Sequence, residues 1–543
     1  MNIQRTVKVL RSLVILARRG FIHPLNLAAD ARTAAIAQRC GPFPAMISYT
    51  ARYEPDRPAL VDGRGTLSYG ALDRRSNALA RGLSAAGIGP GDIAGVLARD
   101  HRGLVAAMIA TGKLGVRLVI LNTGFGGPQL RDVATREGVT VLFHDDEFDA
   151  VAAELPTDIT RFHTWNHRPA AADGPRSVED VIAANSTDPL PLPAETGGLV
   201  LLTSGTTGTP KGAVRKKISP LQSAQVLDRI PLTRGGTMVI AAPLFHATGL
   251  GQFSFAMSLG KTVVFGRGKF DAEYTLGQVA RHRADTLVLV PTMLSRIIAL
   301  GPEVLARHDV SSLRVIASGG SAISPGLCSA TIAAFGDVLH NNYGATEVAT
   351  VAVATPAELR RAPGTVGRPP IGVRVALYDP SGRRITEPDT PGTIFVANEL
   401  SFGGYTDGRD KDRRDGMIST GDIGHFDRSG LLFVDGRDDD MIVSGGENVY
   451  PAEVENLLVD RGDIADAAVI GVPDGDFGQR LRAFVVARAG AELDADDIRA
   501  YVKSQLARYK VPRDVVVVEE IPRNGSGKIV RSRLAEFEVK ASS

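Results

Sequence analysis

The stretch LLTSGTTGTPKGA, Leu201 to Ala213, is the densest cluster of glycine and hydroxyl residues in the chain. Repeated glycines let a backbone approach a ligand and turn its amides toward anionic oxygens. Ser204, Thr206, Thr207 and Thr209 add hydroxyl donors, and Lys211 adds a positive charge. The chemistry this offers is the cradling of phosphates, directly after the apolar run GLVLL. The kinase and GTPase pattern GxxxxGK(S/T) is not met, because Pro210 stands immediately before Lys211. A proline there cannot donate to phosphate, and it disfavours the helix start of a P-loop. The plain alternative is a polar turn between strand and helix.

Further motifs follow in order: PLFHATGL (Pro243 to Leu250), NNYGATE (Asn341 to Glu347), STGD (Ser419 to Asp422), GRDDDMIVSGGENVYPAEVE (Gly436 to Glu455) and PRNGSGKIVR (Pro522 to Arg531). Their joint order resembles the adenylate-forming superfamily of acyl-CoA synthetases, aryl ligases, luciferases and adenylation domains. The resemblance covers about Pro44 to Arg533. It implies that a carboxylate attacks the α-phosphate of ATP and expels pyrophosphate, so catalysis is mostly placement and charge neutralisation.

On that resemblance, Thr203, Ser204, Gly205, Thr206, Thr207, Gly208, Thr209 and Lys211 would line the ATP phosphates. Glu347 would hold Mg²⁺ together with Thr203, and Thr346 would donate to the α-phosphate. Tyr343 offers a flat face for adenine, with Asn342, Gly344 and Ala345 beside it. Gly319, Gly320 and Ser321 of SGGSAIS supply backbone to the base and acyl group. Asp422 is the expected acceptor for the ribose hydroxyls, assisted by Arg437, and Lys528 would bridge the attacking carboxylate and the α-phosphate. His246 has two plainer readings, a satisfied core histidine or a pocket lining. The resemblance sets it at the acyl pocket, with Gly249, Phe253, Gly320 and Gly344. For the second half-reaction the hinge matches Asp439, and Ser444, Gly445 and Gly446 would line the tunnel for coenzyme A. A solvated charged turn is the other reading of RDDD. His101 and His282 are expected to be exposed and structural.

The elements that position these residues read as α/β. ALVDGRGTLSYGALDRRSNALARGLSAAGI predicts two short strands and a helix from Tyr69 to near Gly87. DIAGVLA and RLVILN read as buried strands with a helix between them. Residues 151–195, rich in Ala, Pro, Asp and Thr, read as an irregular surface connection. Strands follow at GLVLLTS, MVIAAPL, TVVFG, TLVLVP and LRVIASGG, and short strands after Gly364 suggest a small β-barrel. The expected architecture is a large N-terminal domain of two α/β subdomains plus that barrel, with a small mobile α+β C-terminal domain. The boundaries are an extension at 1–40, an AMP-binding adenylation domain at 41–437 and a C-terminal domain at 438–543.

Composition bounds the rest. A chain of 543 residues exceeds one compact core. A net charge of +2 gives no electrostatic case for a nucleic-acid partner. Cys40 and Cys328 are the two cysteines, without zinc or disulfide spacing, which fits a reducing cytoplasm. The longest apolar run, Leu104 to Leu121, is broken by Lys113 and Arg117 and reads as buried core. Residues 1–29 carry Arg5, Lys8, Arg11, Arg18 and Arg19 and no acidic residue. Val7, Leu10, Leu13, Val14 and Ala17 fall on one side of a helical wheel. Such a basic amphipathic helix either lies on the inner face of the plasma membrane or packs on its own domain. A signal peptide fits less well, because Arg11 interrupts the apolar stretch and no cleavage site follows closely.

Within the superfamily, no carrier domain follows Lys528, and no insertion separates NNYGATE from STGD, which favours CoA ligation over acyl-AMP ligation. Nothing suggests a luciferin pocket. HATGLGQFSFAMSLG and LVLVPTMLSRII are apolar and lack a cation for a second carboxylate, apart from an arginine near the end of the second. The expectation is a medium- or long-chain fatty acid. An aryl or sterol-side-chain acid is the alternative, and a non-catalytic nucleotide-binding scaffold is more remote. Monomer and homodimer both remain open.

Overall fold

The computed structural model describes all residues except 1–2, 168–173, 203–211, 216–219, 346, 399–410, 445–446, 475–477, 525–526 and 537–543. The chain divides into two compact units. One comprises Met1–Ser318, Pro370–Gly372 and Glu399–Asp410; the other comprises Gly319–Pro369, Val373–Asn398 and Lys411–Ser543.

The first unit carries two sheets with helices. One has seven strands in the order Arg176–Ser177, Thr160–Trp165, Val141–Asp145, Ile93–Leu97, Arg117–Ile120, Leu199–Leu202 and Gly212–Arg215. All neighbours are parallel except the last pair. In the other, Gly65–Ser68, Pro58–Asp62, Thr262–Phe265, Thr237–Ile240, Thr286–Leu289 and Val315–Gly319 lie side by side, parallel after the first pair. Parallel strands need crossovers, and the intervening helices supply them. Ser68 caps Tyr69–Ala85 by accepting from the Ala71 amide at 3.2 Å, and the following helix, Arg102–Leu114, is buried nearly all round. The segment 104–121 is therefore core, as its length and mixture predict.

Two expectations need correction. Residues 151–195 are not wholly irregular: Thr160–Trp165 and Arg176–Ser177 extend the seven-stranded sheet, and Val178–Ala183 is helical. His101 is buried, not exposed. It is 5% accessible, accepts the Gly103 and Leu104 amides through Nδ1 as a helix cap, and bonds Asp145 through Nε2 at 2.8 Å. His282 is half-buried.

The second unit contains the antiparallel hairpin Leu339–Ala345 and Ala349–Ala354. A curled antiparallel sheet follows, with Met417–Phe426 pairing Gly392–Ala397, Arg413–Arg414 and Leu432–Arg437. Its C-terminal part is a small α+β domain. There Glu447–Val449, Ile442–Ser444, Gly478–Ala487 and Ile464–Asp474 are antiparallel neighbours, and Asp514–Val517 adds a parallel strand. Its apolar core unites Val454 and Leu458 of one helix, Ile498 and Val502 of another, and Val469, Leu481 and Val485 of the sheet. Sheets and helices thus follow the α/β expectation, with a partial β-barrel and a small α+β end.

Candidate active site

In the second unit the hairpin strand Leu339–Ala345 brings Tyr343 beside the long strand Met417–Phe426, which carries Asp422. The Tyr343 hydroxyl donates to Asp422 Oδ2 at 2.5 Å and lies 3.2 Å from Thr420 Oγ1. Arg437 is Asp422's register partner on the adjoining strand, and its Nη1 sits 3.7 Å from Asp422 Oδ1. Burial raises the Asp422 carboxyl above the usual range, opposed by Tyr343, Arg437 and Lys528. Burial also pushes the Tyr343 phenol well up, helped by the adjacent carboxylate. The tyrosine therefore stays a neutral donor that fixes one carboxylate oxygen.

The charges of Lys528 and Asp422 act on each other although the two lie 106 positions apart in the sequence (528 − 422). Desolvation lowers the Lys528 ammonium below the ordinary lysine range. Asp422 opposes that shift, Arg437 adds to it, and Glu347 and Asp440 oppose it more weakly. A tight turn presents the lysine. The Asn524 amide donates to the Lys528 carbonyl at 2.8 Å, the Lys528 amide donates to Asn524 Oδ1 at 3.0 Å, and Gly527 takes a φ of +79°. Arg523 anchors the turn by pairing with Asp466 at 2.7 Å and donating to the Gly527 carbonyl at 2.6 Å. Arg531, just beyond, binds Glu455 at 2.6 Å and lies 3.4 Å from Asp440.

The backbone around these side chains is tight. A Cβ on Gly344 would meet the Ala349 carbonyl oxygen at 2.3 Å, and one on Gly319 would meet the Asn342 carbonyl at 2.6 Å. Ala349 itself holds a φ of +58°, a left-handed conformation costing roughly 1–2 kcal/mol for a residue with Cβ. Gly320 is exposed with φ +99°, Ser321 and Ala345 are half-buried, and Asn342 Oδ1 is buried without a hydrogen-bond partner among the described residues. Glu347 is half-buried on the turn of the hairpin.

The first unit holds the acyl-pocket candidates of PLFHATGL. His246 stands at the N-cap position of the helix Ala247–Ser258 without a side-chain capping hydrogen bond, and its ring lies 4.4 Å from that of Phe245, centroid to centroid. Gly249 is small for a packing reason, since a Cβ there would meet the Pro243 carbonyl at 2.3 Å. Gly251 faces open space, and Phe253 is fully buried, its ring centroid 5.9 Å from that of Phe265. The loop before the helix is tied down by Asp100, whose carboxylate accepts the Leu244 amide at 3.1 Å. Asp145 fixes Asp100's own turn by accepting from the Arg99 amide, His101 and Thr164.

Thr203, Ser204, Gly205, Thr206, Thr207, Gly208, Thr209 and Lys211 lie outside the described residues, as do Thr346, Gly445 and Gly446. Asp439 falls in a short helical turn after Arg437, and Ser444 ends the strand Ile442–Ser444, buried. Sequence reading missed Asp460. Its carboxylate accepts from Ser324 Oγ at 2.9 Å and from the Gly326 amide at 3.3 Å, at the start of the helix Pro325–Phe335. It also missed Asp100, which lies in none of the quoted motifs, and the parts played by Asp440 within GRDDDMIVSGGENVYPAEVE and by Arg523 within PRNGSGKIVR, whose partner Asp466 lies outside both.

The chain thus combines parallel α/β sheets, a curled antiparallel sheet and a small C-terminal α+β domain, with Tyr343, Asp422 and Arg437 grouped in the second unit. Residues 47–406 match the AMP-binding enzyme family, and residues 453–528 match the AMP-binding enzyme C-terminal domain. The chain belongs to that family, and it is an AMP-forming acid–thiol ligase. It is 33% identical over 503 residues to the fatty acid–[acyl-carrier-protein] ligase ScoC of Streptomyces coeruleorubidus, covering 90% of this chain and 95% of that one. It is 34% identical over 490 residues to a feruloyl-CoA synthase of an Amycolatopsis species, covering 89% and 96%. The structure is similar to the o-succinylbenzoate CoA synthetase of Bacillus subtilis in complex with its acyl-adenylate, with a TM-score of 0.78, 27% identity and coverage of 91% and 98%. ATP-bound MatB of Rhodopseudomonas palustris gives a TM-score of 0.79 at 27% identity, covering 92% and 98%.

Proposed function

We propose that the chain is a fatty-acyl-CoA synthetase. A medium- or long-chain fatty acid attacks the α-phosphate of ATP, the bond to pyrophosphate breaks, and the resulting acyl-adenylate passes its acyl group to coenzyme A with release of AMP. The observation that carries adenylation is the Tyr343–Asp422–Arg437 grouping, together with the reach of the Asp422 and Arg437 charges to Lys528. An ammonium in a partly desolvated setting is a strong donor for the negative charge that develops between carboxylate and phosphate. Asp422, with one oxygen engaged by Tyr343, keeps Oδ1 for the ribose hydroxyls. The orphaned Asn342 Oδ1 suits an amino donor such as that of adenine. The Glu347 carboxylate is a hard oxygen ligand of the kind Mg²⁺ takes, and Thr203 would share that ion, which would neutralise phosphate charge.

Support for a fatty acid comes from the apolar segment 247–257 and from the similarity to ScoC, a fatty acid ligase. The similarity to a feruloyl-CoA synthase favours an aryl acid as the second reading. His246, Gly249, Phe253, Gly320 and Gly344 remain the acyl-pocket candidates, and Asp439 with Ser444, Gly445 and Gly446 the hinge and thiol-tunnel candidates. The enzyme would work in the cytoplasm, peripherally on the inner face of the plasma membrane. Turnover of a panel of acids with ATP and coenzyme A tests the reading. A rate that rises with alkyl chain length supports it, and turnover confined to ferulate-like or benzoate-like acids overturns the fatty-acid assignment.

A further inference from the structure

Large exposed apolar side chains are not spread evenly over this protein. Among the described residues there are ten, and six of them lie in the first 27 positions: Val7, Leu10, Leu13, Val14, Leu25 and Leu27. The first four share the helix Ile3–Arg19, with exposures of 50%, 58%, 40% and 49%. The opposite side of that helix is already used. Ser12 and Leu16 are buried, the helix packs on Pro220–Arg229, Arg19 Nε donates to the Leu227 carbonyl at 3.2 Å, and the Arg234 amide donates to the Arg19 carbonyl at 2.9 Å. The protein thus holds the helix by its inner side and leaves the apolar stripe outside.

At about 100° per residue, the outward arc runs in the order Leu13, Leu10, Val14, Val7, Arg18, Arg11. Both arginines are exposed and stand beside the apolar stripe. An apolar stripe bordered by arginine is the pattern of a helix lying in a lipid interface, with side chains among acyl carbons and guanidinium groups at phosphates. Residues 1–29 carry five basic and no acidic residues. A second copy packed symmetrically on this face would set those like charges against each other, whereas an anionic surface complements them.

We propose that the outward arc of Ile3–Arg19 docks the enzyme on an anionic lipid bilayer, its axis parallel to the surface and Leu10 and Val14 at the centre of the inserted stripe. Leu25, fully exposed, and Leu27, the first residue of the helix Leu27–Cys40 and itself exposed, extend the apolar contact. The inference rests on the peripheral location proposed above but not on the identity of the acid.

The test uses the full chain, sedimented with vesicles of phosphatidylcholine alone or mixed with phosphatidylglycerol. Wild type is expected to bind the mixed vesicles, with affinity falling as salt rises, and to bind the neutral ones weakly. Leu10→Glu with Val14→Glu is expected to lower vesicle affinity at least tenfold while leaving the melting temperature and turnover of a soluble medium-chain acid unchanged. Arg11→Gln with Arg18→Gln is expected to remove most of the salt dependence. Absence of binding by wild type, or wild-type binding by the glutamate pair, overturns the proposal. So does a dimer that the glutamate pair dissolves, because the face would then be a contact between copies. Turnover of the acid panel in vesicle-free buffer is read separately, so loss of docking and loss of the fatty-acid reading are distinct results.

Discussion

Replacing Lys528 by alanine removes a C-terminal-domain cation whose charge acts on Asp422, itself bound by Tyr343 and close to Arg437. The lysine is partly desolvated, on a turn pinned by Asn524 and Arg523, so little reorganisation precedes its use. A single preorganised donor aimed at developing negative charge is worth roughly 2.7–4 kcal/mol, which is about 10²–10³ in rate. Pyrophosphate release in a single turnover with ATP and acid should fall by that factor in Lys528→Ala. Thioester formation from preformed acyl-adenylate and coenzyme A should change by less than about threefold, because that step has no carboxylate–phosphate bond to make. The pH dependence carries a second signature. Burial lowers the ammonium's pKa, so wild-type adenylation should lose rate on the alkaline side at a pH below that of an ordinary lysine. Equal losses in both half-reactions would refute the assigned role.

Three other substitutions probe the positioning of the site. Tyr343→Phe deletes a donor to the Asp422 carboxylate, a bond worth about 1.5–3 kcal/mol when the acceptor is charged; urea unfolding should show a loss of ~1–2 kcal/mol, and an unchanged midpoint would mean the bond adds nothing. Asp100, raised by burial to about 7 against ~3.9 in an unfolded chain, adds stability below pH ~4 that is lost as pH climbs through 7. Asp100→Asn keeps an acceptor for the Leu244 amide and abolishes the titration, so its melting temperature should gain on wild type between pH 5 and pH 8.5; a constant gap contradicts this. Asp460→Ala removes the exposed carboxylate that ties the C-terminal domain to Ser324 and Gly326. At ~0.5–1 kcal/mol, adenylation should slow about two- to fivefold with no loss in the thioester step; equal slowing of both would mean the contact does not select the adenylating arrangement.

Most of the α/β framework was legible because buried parallel strands write themselves as short apolar runs. GLVLL, MVI, TVVF and TLVL all became strands. Thr160–Trp165 was not legible, since its sequence TRFHTW mixes arginine, histidine and threonine, and its neighbours rather than its own apolarity make it a strand. His101 sits in ARDHRG, which looks like surface; its burial follows from capping a helix whose other residues are core. Of the candidate residues named from motifs, the structure brings Tyr343, Asp422 and Arg437 together and sets Lys528 within reach of their charges. The site was illegible where a contact joins positions distant in sequence, as with Asp460 and Ser324 or Arg523 and Asp466. No local spacing encodes such a pair.

Acid-dependent adenylation is the defining step of the proposed reaction, and isotope exchange between ATP and pyrophosphate measures it directly, without coenzyme A. Exchange should appear when a fatty acid is added, increase with alkyl chain length, and fall by at least 10²-fold in Lys528→Ala. Wild-type exchange absent with every carboxylic acid offered, under Mg²⁺ and ATP, would contradict the central claim and leave a nucleotide-binding protein without this chemistry.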